Sequence, residues 1–402
     1  MTDEAILEGV SVIDLSTFVT GGFCSLMLAN QGADVVKIER PGVGDDIRHS
    51  GPPFVDGESP YYWTVNYDKR SVELDLKSDA GREAFYDLVE AADVVIQNFR
   101  PGTADRLDIA YEDLTAHNDS IVYCDISAFG NTGPWSERPG YDLLVQGLSG
   151  IMSVTGEGDG RPVKVGLPQT DLITGMWAAF GIVGALYRRE HTGEGEYVEL
   201  GMLDAALPWL TKQAGKVFAD ESPERMGTKD PVLAPYQTLP TADGHINVAC
   251  LNQKLWRDLC EAIDRPDLAA DDRFETNADR VEHMDALEEA LSATLAERTT
   301  EEWMETLVEA GIPAGPVQSV EEALSNEQTE AREMVDHIED GDREIPVIEH
   351  PLNFDGARSG FDSAPPELGE HTDEVFGELG YDHEYLERLR EAGAFGDPDQ
   401  TD

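Results

Sequence analysis

The chain has 402 residues, 81 Asp plus Glu against 29 Lys plus Arg, a formal net charge of −52 and 40% hydrophobic residues. That apolar content is too high for a disordered acidic chain, and the charge repels nucleic acid and anionic membrane surfaces, so neither is expected as a partner. The carboxylates run along the whole chain and only eight of the cations are Lys, a pattern expected of a halophile's cytoplasmic protein, where molar salt shrinks Debye screening to about 3 Å.

The N-terminus, MTDEAILEGVSV, carries no basic region and no long apolar core. No stretch is read as reaching transmembrane length, and the expected location is the cytoplasm. Four β-rich runs follow in the first third: VSVIDLS, ADVVKIE, DVVIQNF and SIVYCDIS. A helix opened by Gly21-Gly22 is expected between the first two. The segment SDAGREAFYDLVEAA, capped by Ser78, is a second helix before the third run. Strands alternating with helices predict a parallel sheet with helices on its faces. GEYVEL reads as a further strand, and LDAALPWLTKQAGKVF as a helix.

From about Pro231 the pattern changes. PYQTLPTADGHINVAC predicts a hairpin around Ala242-Asp243-Gly244, and amphipathic helices follow near 253–264 and 284–296. Another helix starts at Thr299, whose spacing to Glu302 makes a capping box, and Gly311 closes it. This smaller α+β unit ends near AGIPAGPVQSVEEAL. The last helical piece is HTDEVFGELGYDHEYLERLREAGAF.

Ligands of open parallel sheets bind outside the carboxyl ends of the strands. The residues leaving those ends are Ser16-Thr17-Phe18, Glu39-Arg40-Pro41, Asn98-Phe99-Arg100-Pro101 and Ser127-Ala128-Phe129-Gly130. Residues 37–106 hold nine of the 29 cations. In so acidic a chain this excess points to an anionic, phosphate-bearing ligand, or to cations paired with neighbouring carboxylates. The chain has no GxxxxGK[ST] loop, no GxGxxG after the first strand, no GxSxG and no HExxH. Its nine His show no metal-ligand spacing, and Cys24, Cys124, Cys250 and Cys260 sit singly in apolar stretches, as buried free thiols do. No metal and no permanently bound cofactor are expected.

Asp171, in VGLPQTDLITGMWAAFGIVGALYRRE, stands at the head of a long apolar segment. Locally it reads as a helix N-cap. It also reads as a carboxylate nucleophile toward an acyl group, since small residues surround it and the helix dipole favours its ionised form.

Nine segments in order carry a family resemblance: LEGVSVIDLS, GADVVKIERPGVGDDIR, QNFRPG, SAFGNTGPWSERPGYDLLVQGLSG, LPQTDLITGMWAAFGIVGALYRRE, PTADGHINVA, DDRFETNADRV, AGIPAGPV and GEHTDEVFGELGY. Through them the chain resembles the class III CoA-transferases, a group that includes α-methylacyl-CoA racemases as a branch, and haloarchaeal members above all. The resemblance implies an α/β fold: a Rossmann-like, CoA-binding large domain (1–204), a linker (205–230), a smaller α+β domain (231–325) and a return segment completing the large domain (326–402). It also implies an interlocked homodimer. Asp171 falls on the family's nucleophile. The CoA-contacting positions fall on Arg40, Asn98, Phe99 and Arg106, with Phe18, Arg100 and Arg138 beside them.

The implied activity moves CoA from an acyl-CoA, with succinyl-CoA expected as donor, to a small acid, mesaconate or a similar C5 dicarboxylate. It passes through an aspartyl mixed anhydride and an aspartyl-CoA thioester, with CoA thioesters as substrates and no ATP. Arg48 or Lys164 is a candidate for a distal carboxylate. The glycine-rich loop of formyl-CoA transferases has no counterpart in MGTKDPVLAPY (226–236). The alternative activity, racemisation, needs an acid/base pair across the α-carbon, and Tyr141 stands where the racemase branch has His.

Overall fold

Six short segments pair into one parallel sheet: β1 (Ser11–Asp14), β2 (Asp34–Glu39), β3 (Arg70–Glu73), β4 (Val94–Gln97), β5 (Val122–Ser127) and β6 (Glu196–Gly201). Their spatial order is β3-β2-β1-β4-β5-β6, with Val12 in register with Val35 on one side and Val94 on the other. The chain reverses its direction of growth at β1/β4, which is where such sheets bind ligands. The computed structural model describes residues 5–341, 343–354, 361 and 363–396.

Alternation along the strands buries both faces of the sheet. Ile13, Val36, Val95 and Tyr123 face a core closed by α3 (Asp79–Ala91) through Phe85, Leu88 and Val89. The same core takes Val375, Phe376, Leu386 and Leu389 from the C-terminal segment. Val12, Val35, Val94 and Val122 face the opposite core, closed by α1 (Phe18–Ala29) and α5 (Gln169–Thr192) through Leu28, Ala178, Ile182 and Leu186. The remaining labelled helices of this region are α2 (Pro60–Asn66), α4 (Asp142–Leu148) and α6 (Met202–Ala206).

This sheet belongs to a unit formed by Met1–Ser149, Val165–Thr211 and Glu330–Asp402. Residues 1–4 and 397–402, which the expected large domain includes, lie outside the described residues. The second unit comprises Gly150–Lys164 and Lys212–Thr329. Its antiparallel sheet β7 (Tyr236–Pro240), β8 (His245–Ala249), β9 (Ala314–Pro316) packs helices α7 (Gln253–Ala262), α8 (Met284–Leu295) and α9 (Thr300–Glu309) around Trp256, Phe274, Leu291 and Trp303. The expected hairpin turn lies between β7 and β8. Thr299 and Glu302 form the expected capping box at the start of α9.

Several local expectations are corrected. Helix α1 begins at Phe18, and Gly21 and Gly22 lie buried within it. A Cβ on Gly21 would stand 2.2 Å from that of Ser16, so this glycine permits a close approach rather than opening the helix. The expected helix over 203–218 is broken by a 3₁₀ turn at Leu207–Leu210, where Pro208 lacks the N–H to continue it. Helix α5, at 24 residues, does have the length and hydropathy of a membrane span, contrary to expectation. Half of that apolar window is buried inside the fold, where Ala178, Ile182 and Leu186 join the core.

Strand β3 and the hairpin β10 (Val335–Asp340), β11 (Arg343–Ile348) were not expected. Both are short and mix charged with apolar residues without a regular period; β3 pairs with β2 at the sheet edge.

Candidate active site

All six strands of the parallel sheet deliver residues into one cleft of about 1780 Å³. Leu15–Phe18 leave β1, Arg40 leaves β2, Leu74–Lys77 leave β3, Asn98–Arg100 leave β4, Ala128 follows β5 and Met202 follows β6. At the β1/β4 switch point the two exits bind each other. The Thr17 N–H donates to Asn98 Oδ1 at 2.9 Å, and Asn98 Nδ2 donates to the Thr17 carbonyl at 2.7 Å.

A buried charge network holds the β1 exit in place. Asp14 accepts from Ser16 Oγ and Ser25 Oγ, each at 2.5 Å, and pairs with Lys69 at 3.3 Å. Lys37 donates to the Ser16 carbonyl at 2.8 Å and pairs with Asp45 at 2.9 Å. Asp45 Oδ1 in turn accepts the Phe18 N–H at 3.0 Å. Phe18 has φ of +60°, a strained conformation for a bulky residue that persists only where its surroundings over-determine it. Burial opposes ionisation of Asp14, yet Lys37, Lys69 and the two serine hydroxyls hold its carboxyl far below the usual range. Burial brings Lys69 down to about 8 against the pull of Asp14.

Asp171 lies in the first turn of α5, at its cleft-facing end. It is not the N-cap: the helix starts at Gln169 after Pro168, and Asp171 is its third residue. The capping role falls to Asp142, 28 residues before Thr170 in the chain. Its Oδ1 accepts from Thr170 N at 2.9 Å and Thr170 Oγ1 at 2.8 Å, and its Oδ2 from Gln146 Nε2 at 2.7 Å. Asp142 therefore has both oxygens committed. Asp171 Oδ1 accepts from Thr20 Oγ1 at 2.6 Å. No hydrogen bond to its Oδ2 is made among the described residues.

Burial first, and then the like charge of Asp142, push the Asp171 carboxyl up to about 6 against the Thr20 hydrogen bond. Such a carboxylate is more basic than an ordinary one while still ionised near neutrality. Tyr61 also lines the cleft; burial, Asp171 and Asp142 all raise its phenol, so it stays a hydrogen-bond donor.

Of the residues singled out by sequence, Phe18, Arg40, Asn98, Phe99, Arg100 and Asp171 line this cleft together. Tyr141 lines it as well, with its ring edge-on to Phe18 at 6.3 Å. Arg106 is exposed and not part of the lining, but donates to the lining residue Thr103 at Oγ1, 2.8 Å away. Arg138 is not part of the lining; its guanidinium stacks over Trp135 at 4.9 Å. Arg48 is committed elsewhere, to Glu39 at 2.5 Å, Tyr62 Oη at 2.5 Å and the Pro366 carbonyl at 3.1 Å. Lys164 is exposed and belongs to the second unit.

The sequence reading missed Thr20, Asp142, Lys77 and Arg390, all cleft residues or partners of one. Lys77 would have followed from recognising β3, whose exit it occupies. Arg390 comes from the far end of the chain, and nothing local marks it. Among the described residues no group of three His, Cys, Asp or Glu side chains could hold a metal ion.

The chain was compared with known proteins. The model of CoA-transferase family III matches residues 7–372. A succinyl-CoA:mesaconate CoA-transferase of Haloarcula hispanica is 39% identical over 93% of this chain and 96% of its own length. A succinate–glutarate CoA-transferase of Agrobacterium fabrum is 37% identical over 93% of this chain and 95% of its own. The crystal structure of a CAIB/BAIF family protein from Brucella suis superimposes with a TM-score of 0.86 at 37% identity, covering 94% of this chain and all of that one. With a family model matched over nearly its whole length and relatives of 37–39% identity, the chain belongs to CoA-transferase family III, an enzyme family that uses CoA thioesters as substrates.

Proposed function

We propose that the protein moves CoA from succinyl-CoA to mesaconate or a similar C5 dicarboxylate, with Asp171 as covalent nucleophile. The observation that carries this reading is the contrast between two neighbouring carboxylates. Asp142 is used up as a helix cap, whereas Asp171 keeps one oxygen available in a cleft that Arg40, Arg100 and Lys77 also line.

The ionised Asp171 attacks the thioester carbonyl, the C–S bond breaks, and a mixed anhydride forms with CoA thiolate as leaving group. The thiolate then attacks the aspartyl carbonyl, the anhydride C–O bond breaks, and the donor acid departs from an aspartyl-CoA thioester. The acceptor carboxylate attacks that thioester and expels the thiolate. The thiolate takes the acceptor's acyl group and returns Asp171 as a carboxylate. Each step exchanges one activated acyl bond for another, so ATP is not needed. Both intermediates demand exclusion of water and donors for developing oxyanions.

Arg100 and Lys77 supply charge for the CoA phosphates, and Arg40 adds to it by exchanging its exposed pair with Asp46, at 2.6 Å, for the ligand. Phe18 and Phe99 supply apolar surface, and Asn98 ties the two central exits together. Arg106 joins them by turning from Thr103, whereas Arg138 must leave Trp135 to reach the cleft. The succinyl and C5 assignments rest on the names of the Haloarcula and Agrobacterium relatives. Arg48, already occupied, is not assigned to the distal carboxylate.

The enzyme is proposed to work in the salt-rich cytoplasm. Its charge of −52 and four buried free thiols support this. It is also proposed to form an interlocked homodimer. Trp177, Phe180 and Tyr187 on α5 and Trp209 beyond it leave large apolar side chains exposed for a second copy.

The test is incubation with succinyl-CoA and a panel of acids in molar KCl. Mesaconyl-CoA formed in step with free succinate is expected; preference for glutarate reassigns the acceptor. Exchange of the acyl α-proton for deuterium without any transfer supports racemisation and overturns the proposal.

A further inference from the structure

Helices α1 and α5 cross unusually closely beside the reactive carboxylate. Gly175 lies one turn beyond Asp171, and a Cβ there would stand 2.8 Å from the Thr20 carbonyl oxygen and 3.3 Å from Cys24 N. The missing side chain lets the backbone of α1 settle against α5. Thr20, buried and on the first turn of α1, is thereby brought to Asp171 Oδ1 at 2.6 Å. The contact joins residues 151 positions apart, and the buried network around Asp14 and Asp45 fixes the start of α1. The geometry of this donor is therefore set before any substrate arrives.

We propose that the Thr20 hydroxyl is an oxyanion donor for the aspartyl half of the reaction. This rests on the reading of Asp171 as nucleophile. With Oδ1 held by Thr20, Oδ2 attacks the thioester and becomes the bridging oxygen of the anhydride, and Oδ1 remains as its aspartyl carbonyl oxygen. When CoA thiolate adds to the aspartyl carbon, the carbonyl π pair moves onto Oδ1, where Thr20 already donates. Collapse of that adduct returns the pair and expels the donor acid with Oδ2. The same hydrogen bond serves when the acceptor carboxylate adds to the aspartyl-CoA thioester. Preorganised donors act in this way because they are aimed where charge develops and need no reorganisation.

The test compares Thr20→Val, Thr20→Ala and Thr20→Ser in molar KCl. Single-turnover formation of aspartyl-CoA is followed by rapid quench, alongside steady-state kcat and KM. Loss of one oxyanion donor costs on the order of 100-fold in kcat. The Val and Ala variants are expected to show that loss in both kcat and the single-turnover rate, with KM for succinyl-CoA little changed. Thr20→Ser, which keeps the donor, is expected to recover most of the rate. Far-UV circular dichroism reports folding, and Ala, smaller than Thr, stands in should Val disturb the helix crossing. A Val or Ala variant with the parent single-turnover rate overturns the proposal, as does a Ser variant as slow as Val. If the parent protein gives no Asp171 adduct, the underlying nucleophile reading fails instead.

Discussion

Asp171→Asn should abolish turnover and yet stabilise the fold. The substitution keeps the shape of the side chain and an oxygen for the Thr20 hydrogen bond, but removes the charge that burial and Asp142 penalise. The carboxyl is displaced from its ordinary 3.8 to about 6, which corresponds to about 3 kcal/mol at 1.36 kcal/mol per pH unit. The sign follows from which state binds the proton more tightly. The folded protein does, so Asp171 costs nothing below about pH 4, where it is protonated in both states, and the full amount above its folded value. Urea unfolding of parent and variant in molar KCl, at one protein concentration across this pH range, measures the difference. The variant is expected to gain up to about 3 kcal/mol at pH 7.5, shrinking toward zero as pH falls to about 4. A variant less stable than the parent at pH 7.5, or a difference independent of pH, refutes the account of Asp171 as a destabilised carboxylate.

The same displacement predicts that kcat/KM falls as pH drops through about 6, since the protonated carboxyl cannot attack. Asp142→Asn should move that limb to lower pH, visible in the pH–rate profile. Arg100→Ala should raise KM for succinyl-CoA about tenfold, the scale of one charge-assisted hydrogen bond. It should leave a succinyl-pantetheine thioester, which lacks the nucleotide phosphates, unaffected. Lys37→Met leaves Asp14 and Asp45 buried without one shared cation, so it should cost about 3–5 kcal/mol in urea unfolding.

Much of the sheet was legible because buried parallel strands are hydrophobic on both faces, as in ADVVKIE and SIVYCDIS. Strand β3 was not, because an edge strand of four residues, Arg70–Glu73, need bury little. The strand exits carried the site: Phe18, Arg40, Asn98, Phe99 and Arg100 were each found by asking what leaves a carboxyl end, and all line the cleft. From its local sequence Asp171 was one carboxylate at a helix start, read more readily as a cap than as a nucleophile, and only the family resemblance over the rest of the chain pointed to catalysis. What separated the two was Asp142, remote in sequence, taking the Thr170 N–H. Thr20, Arg390 and the Asp14–Lys37–Lys69 network were illegible for the same reason, since their partners are set by helix crossing and sheet order. Arg48 shows the converse error: a cation in the right stretch that the fold spends on Glu39.

The central claim is that Asp171 carries the acyl group. Incubation with succinyl-CoA in molar KCl, quench with hydroxylamine and peptide mass spectrometry test it most directly. A hydroxamate on Asp171 that requires succinyl-CoA and disappears in Asp171→Asn is the expected result. A label on another residue, or turnover retained by Asp171→Asn, contradicts it.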